Sequence, residues 1–488
     1  MTDVEHVELE TPFGRLRGAR SEGVAAFRRI PYAEAPVGRL RFEMPSAAPL
    51  WRGVRDAIAP GPIPPQNPSR LNAVMGTYDV EQSEDCLHLD IWTSHAEGAR
   101  APVLVFIHGG AFMTGGGSLP CYDGAVLAKE NGLVVVNISY RLGILGFFSH
   151  SGLGGLNLGL HDQVAAFRWI AQAIGAFGGD PERITVIGQS AGAFSIAALA
   201  GAGDGSRLFN RAIMMSAPVG IKLRTVEQAR PVFDAILDVL GAGPNDVDKL
   251  RTMPVDRIFE GLQILQRKPP ASPGDITPPF MPVLDEVLIQ RDPSESIQMG
   301  RAGWCDMMIG VTREEYAAFS ISNPALDELS EDALEELIQS QGGDDATVSR
   351  LRSARAPATP RMILGDFYSD RIFTRQSLEI AATQSRLGRN AFTYLFDWQS
   401  PMPGLGACHC IDLPFLFANF DVWQAAPMVK GADRREMQDL SRLFRGSIAA
   451  FAEGGDPNGR GLPNWPAYTA DQTVLHFDRH ITASHYIT

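Results

Sequence analysis

Cysteine is scarce in this chain: five among 488 residues, at positions 86, 121, 305, 408 and 410. An odd, widely spaced set is no disulfide framework, and it fits a reducing compartment. Lysine is equally scarce, supplying five of the 43 basic residues. That bias toward arginine, with abundant alanine and glycine, fits a GC-rich genome and points to no function. Positive charge is also outweighed: 43 Lys+Arg face 56 Asp+Glu, a formal charge of −13. Without a basic cluster there is no phosphate-binding field, which excludes a broad nucleic-acid surface. No uninterrupted apolar run approaches the ~18 residues that span a bilayer. Residues 1–10 have neither the basic start nor the apolar core of a signal peptide. These absences predict a soluble cytoplasmic protein without nucleic-acid or membrane partners.

What is present describes an ordinary globular chain with material for a large core: 45% hydrophobic and 20% charged residues, 49 Gly and 34 Pro. At ~150 residues per domain the length suggests three domains, a prior that large α/β folds override. The first hundred residues mix short strand-like runs with turns, then a Pro-rich stretch, residues 59–65, that must be irregular. From residue 103 the texture changes. The runs 103–107, 133–138 and 184–187 are apolar and β-branched, separated by helical spans such as 160–174, and read as buried parallel strands. Residues 225–360 carry few strand signals apart from 306–310, and contain a helix-like segment at 328–341 and a Pro-rich loop at 268–282. They read as insertions over a sheet edge. Strand texture returns at 392–396, and a last helix is expected over 433–453, closed by Gly454-Gly455.

Gly188-Gln189-Ser190-Ala191-Gly192 matches G-x-S-x-G at the end of the strand-like run 184–187, with a helical continuation. A sharp strand-turn-helix needs glycine on both sides of the serine, lifts the hydroxyl out of the sheet, and puts a helix N-terminus beneath it. The bland alternative is a serine that merely caps a helix. His108-Gly109-Gly110-Ala111-Phe112 follows the strand 103–107. Small residues there let backbone N–H groups approach the negative oxygen of a tetrahedral intermediate. Gly110 and Ala111, with Ala191, are the expected donors. The bland alternative is an ordinary glycine turn, of which Gly115-Gly116-Gly117 is a nearby example.

In the strand-elbow-helix arrangement the order is Ser, acid, His. That leaves His409, His476, His480 and His485 as candidate bases. His476 sits in an apolar strand and the last two near the end of the chain. His409 lies in the loop 406–410 that follows strand 392–396, where a mobile general base belongs. For the acid, Glu314 and Glu315 follow the strand-like run 306–309, with Asp306 a third candidate. Adjacent positions point differently, so only one of the two glutamates reaches the histidine, and spacing alone does not choose.

Glu84-Asp85-Cys86-Leu87, the 108–112 turn, Phe177-Gly178-Gly179-Asp180-Pro181, the serine elbow and the segment 406–417 occur in this order. Together they resemble the type-B carboxylesterase/cholinesterase family, especially its bacterial para-nitrobenzyl-esterase-like members, over nearly the whole chain. The resemblance implies an α/β-hydrolase fold, a large central, mostly parallel twisted sheet with helical insertions. It places the catalytic acid on Glu315 and leaves Glu314 as a solvated neighbour. It also implies an Arg41–Glu84 ion pair and a supporting role for Ser216 behind the acid. Departures accompany it. Cys86 has no upstream partner for the disulfide many relatives form, residues 71–78 lack the Trp of choline-binding relatives, and Gln189 stands where many relatives carry Glu.

A serine carboxylesterase is therefore expected: Ser190 as nucleophile, His409 as base, Glu315 as its orienting acid, and the N–H groups of Gly110, Ala111 and Ala191 as the oxyanion hole. No metal and no cofactor enter this scheme. Cys408 and Cys410 flank the base without a second ligand cluster, so they are expected to be incidental thiols whose alkylation would crowd His409. Because the base must be neutral, activity should fall below about pH 6.5. Phe112, Met113 and Phe319 suggest an apolar, aromatic-tolerant pocket, or equally core. The substrate class is small to medium neutral esters; the same triad would also attempt amides or carbamates, and a non-catalytic binding protein of this fold is the rival. Since Ser190 and His409 stand 219 positions apart (409 − 190) yet must meet, the chain reads as one domain over 1–488, with 225–360 an insertion region. A monomer and a small homo-oligomer are both compatible with this sequence.

Overall fold

Val103, Val105 and Ile107 point into one hydrophobic cluster, Leu104 and Phe106 into another. This period of two, with both faces apolar, makes the run a strand buried on both sides. Val134, Val136 and Ile138 repeat the split against Val135. The computed structural model, which describes residues 5–150, 152–202, 207–243, 246, 248–266 and 274–485, builds one large sheet on this principle.

In chain order the strands are β1 (Glu5–Thr11), β2 (Gly14–Ser21), β3 (Val24–Pro31), β4 (Val54–Asp56), β5 (His88–Thr93), β6 (Ala101–Ile107), β7 (Val134–Ile138), β8 (Gly179–Gln189), β9 (Arg211–Met215), β10 (Arg224–Thr225), β11 (Val283–Leu284), β12 (Asp306–Thr312), β13 (Ala391–Phe396), β14 (Thr473–Phe477) and β15 (Thr482–His485). Among the described residues thirteen of them form a sheet of order β1-β2-β3-β5-β7-β6-β8-β9-β12-β13-β14-β15, with β4 beside β2. The run from β7 to β14 is parallel throughout, and antiparallel strands close both ends. Helices Leu158–Ala173 and Ala191–Gly201 bury Leu160, Phe167 and Ile196 on one face. Helix Arg434–Gly454 buries Leu440, Phe444 and Ile448 on the other. The chain is a three-layer α/β-hydrolase.

The stretch 225–360 is mostly helical, with Val226–Leu240, Val255–Gln266, Glu331–Ser340 and Asp345–Ser353 its main helices. It does not stay at a sheet edge. Its strand β12 lies in the interior, between β9 and β13. The expected helix over 328–341 is present as Glu331–Ser340, starting later because Ser330 caps it by accepting the Ala333 N–H at 3.2 Å. Of the Pro-rich loop 268–282, residues 268–273 lie outside the described residues. Arg41 and Glu84 form the bidentate pair the resemblance implies, Nε–Oε1 and Nη2–Oε2 both 2.6 Å. Nη1 of Arg41 also donates to Leu250 and Met253 carbonyls, tying the N-terminal region to the insertions. Among the described residues no helix is long and apolar enough to cross a membrane.

Candidate active site

The elbow is dictated by crowding. Strand β8 ends at Gln189, and helix Ala191–Gly201 begins two residues later. Ser190 bridges them at φ 57°, ψ −120°, a left-handed conformation that non-glycine residues rarely hold. Its N–H is anchored on the Met215 carbonyl at 2.9 Å and its carbonyl accepts the Phe194 N–H at 2.9 Å. A Cβ at position 188 would come within 2.6 Å of the Gly192 backbone, and one at 192 would overlap the Ile107 carbonyl. Both glycines of the motif are thus required by approach of backbone to backbone. Ser190 keeps 9% of its surface open.

The turn after β6 lies flush against this elbow. A Cβ on Gly109 would sit 3.0 Å from that of Ser190. Gly110 (φ 113°) and Ala111 (φ 56°) turn the chain sharply there. Among the described residues the N–H groups of Gly110, Ala111 and Ala191 have no hydrogen-bond partner, so all three remain available to an incoming anion. His108 stacks on Tyr140 at 4.5 Å, and burial pushes its imidazole down to about 4. It is a neutral structural ring.

His409 is fully buried between Phe319 and Phe373, each ring 5.1 Å from the imidazole. Its Nδ1 lies 2.5 Å from Oε2 of Glu315, which is also fully buried. Oε1 of Glu315 accepts the Thr312 N–H at 2.8 Å. With the Nδ1 proton held by the carboxylate, Nε2 is an acceptor, and it faces the elbow: the Gln189 side-chain amide donates to it at 3.2 Å. Asp306 stands at the opposite end of β12 and donates nothing to this cluster.

Several expectations are corrected. Glu314 is not a solvated neighbour: its side chain is 14% exposed. Its Oε2 accepts the Ala407 N–H at 2.7 Å and its Oε1 accepts from Arg355 Nη2 at 3.0 Å, so it grips the loop that carries His409. The Oγ of Ser216 has no hydrogen-bond partner among the described residues, and the backbone N–H of Thr312 supports Glu315 instead. Phe112 packs against Phe147 and Phe194 and is 2% exposed, a core ring rather than a pocket wall. Met113 packs partly buried on the same core, whereas the Phe319 ring packs against the His409 imidazole. Cys408 and Cys410 are buried, and desolvation raises both thiols well above the ordinary range, which disfavours the thiolate that alkylation requires. Among the described residues no cluster of three His, Cys, Asp or Glu is arranged to hold a metal ion.

Gln189 and Glu314 hold His409 and its loop, a role that neither the motifs nor the resemblance assigns to them. The signal was present: each is the immediate neighbour of a motif residue and carries a side chain able to reach the base loop.

The sequence pattern of the carboxylesterase family matches residues 5–487. A phenmedipham hydrolase of Pseudarthrobacter oxydans is 38% identical over 95% of this chain and 93% of its own. A para-nitrobenzyl esterase of Bacillus subtilis is 35% identical over 98% and 96%. Among solved structures, a carboxylesterase of Geobacillus stearothermophilus superposes with a TM-score of 0.86 at 35% identity, covering 98% of this chain and 97% of that one.

Proposed function

From the premise that this chain belongs to the carboxylesterase family, we propose that it hydrolyses small to medium, neutral, apolar or aromatic esters through an acyl-enzyme on Ser190. His409 takes the hydroxyl proton as Ser190 attacks the ester carbonyl. Glu315 holds the imidazole in the tautomer that leaves Nε2 unprotonated, then steadies the imidazolium. The developing oxyanion is met by the N–H groups of Gly110, Ala111 and Ala191. The alcohol leaves with the proton from His409, and water repeats the sequence on the acyl-enzyme. No cofactor takes part. The observation that carries this reading is the buried imidazole gripped by Glu315 at 2.5 Å on one nitrogen and turned toward the serine elbow on the other.

Phe319 and Phe373 against the base support an aromatic-tolerant site. Five buried, unpaired cysteines support a reducing, cytoplasmic setting. The test is Ser190→Ala assayed on a para-nitrophenyl ester. Loss of at least about 10³-fold in kcat is expected, and a wild-type rate would overturn the assignment. Running phenmedipham beside the ester, prompted by the relative named for it, separates ester preference from a wider acyl range.

A further inference from the structure

A second serine–histidine–carboxylate constellation, with an aspartate as its acid, lies at the far end of the sheet. His476 on β14 has its Nδ1 2.6 Å from Oδ2 of Asp397, the residue that follows β13. Its Nε2 lies 2.7 Å from Oγ of Ser484 on β15. The register brings them together: His476 pairs with Thr482, so Ser484, two residues on, is its diagonal neighbour on the same face. Asp397 is buried and fixed on two further sides, its N–H donating to the Phe477 carbonyl at 2.9 Å and its Oδ1 lying 2.6 Å from Arg313 Nε. The acid is therefore fixed in place, the imidazole is held by the acid, and Ser484, which carries the hydroxyl, is exposed to solvent.

We propose that Ser484 is a second covalent acceptor, taking activated acyl or phosphonyl groups with His476 as base and Asp397 as its orienting acid. The proposal is independent of the Ser190 reading. In the step with a fluorophosphonate, Ser484 Oγ forms a bond to phosphorus, the P–F bond breaks, fluoride leaves, and the hydroxyl proton passes to His476 Nε2. With an aryl ester the Oγ–acyl bond forms and the aryloxide departs. Among the described residues β15 is the edge strand of the sheet, so N–H groups on its outer side are open to solvent. No glycine elbow and no helix N-terminus lies at Ser484, so stabilisation is weak and the group transferred stays on the serine. The hydroxyl is not what holds the hairpin together, since four backbone register pairs already join β14 to β15.

The experiment uses the full-length Ser190→Ala protein, incubated with excess fluorophosphonate and read by intact mass and peptide mapping. One adduct on Ser484 is expected, absent in the Ser190→Ala/Ser484→Ala protein. His476→Gln and, as the less disruptive variant, Asp397→Asn should each slow its appearance at least tenfold with an unchanged melting temperature. No adduct at Ser484, or an adduct that forms at the same rate in both variants, would overturn the proposal. Ester turnover surviving in Ser190→Ala would count against the Ser190 reading and leave this one standing.

Discussion

Glu314 and Glu315, adjacent in the chain, hold one loop by two different handles: Glu315 takes the imidazole of His409 at 2.5 Å, while Glu314 takes the backbone N–H of Ala407 at 2.7 Å. A strand end with successive side chains pointing apart makes this division possible. Glu314 also accepts from Arg355, which chelates Asp366 at 2.5 and 2.7 Å, so the helical insertions are tied to the loop that carries His409.

That division predicts different kinetic signatures. Glu315→Gln should lower kcat by about 10³–10⁴-fold, the cost of losing the tautomer and the charge behind the base. Glu314→Ala should lower kcat by only about tenfold, through a misplaced but intact imidazole, with KM within about twofold. Glu314→Gln, which keeps an acceptor for the Ala407 N–H, should lie between Ala and wild type. Steady-state kinetics on a para-nitrophenyl ester, with melting temperatures alongside, decide it. A Glu314→Ala enzyme as fast as wild type would remove Glu314 from the account.

Gln189 faces Nε2 of His409 with a neutral amide at 3.2 Å. Glu at this position would put a negative charge against the imidazole and stabilise its protonated form. Since the base must be neutral to accept the serine proton, Gln189→Glu should move the acidic limb of the kcat/KM profile upward by about one pH unit or more. The profile measured from pH 5 to 9 for both proteins checks it. Superimposable acidic limbs would show that the amide does not face the working base.

The parts of this site that were legible in the sequence are those where chemistry demands particular residue types at fixed local spacing. The elbow glycines are one case, since backbone approach at 188 and 192 leaves no room for a Cβ. The strands β6, β7, β8 and β13 are another, because burial on both faces leaves a continuous apolar run. Strand β9, Arg211–Met215, was hidden by its methionines, which carry no β signal, although it lies at the centre of the sheet beside β8. The choice between Glu314 and Glu315 was open to spacing and was made by resemblance. The grip of Glu314 on Ala407 and the Asp397–His476–Ser484 cluster join residues 79 to 93 positions apart or across a strand pair, and tertiary pairing of that kind leaves no local pattern.

The five cysteines give a prediction that reverses the sequence expectation. All are buried, and desolvation raises every one of the thiols, Cys121 up to about 12. The thiolate is the reactive form, so the native thiols should be inert near neutral pH. Native enzyme treated with iodoacetamide at pH 7.5 should keep its activity and gain no adduct, while the denatured chain gains five. Rapid inactivation with modification at Cys408 or Cys410 would mean that the base loop opens far more often than its packing implies.

Asp412, three residues beyond the base, is fully buried, and neither of its oxygens has a hydrogen-bond partner of good geometry among the described residues. Burial, reinforced by the charge of Glu315, raises its carboxyl to about 8. The folded protein therefore keeps a proton there that the unfolded chain releases near pH 4. Stability from this residue is fully present below about pH 4 and is lost as pH rises through about 8, the reverse of a salt-bridged carboxylate. Asp412→Asn, which is close in shape and cannot ionise, should remove that dependence. Thermal unfolding from pH 6 to 9.5 should show wild type losing more melting temperature than Asp412→Asn, with the gap widest above pH 8. Parallel curves would mean that Asp412 titrates alike in both states, and that the pocket beside Glu315 admits enough water to solvate a second charge.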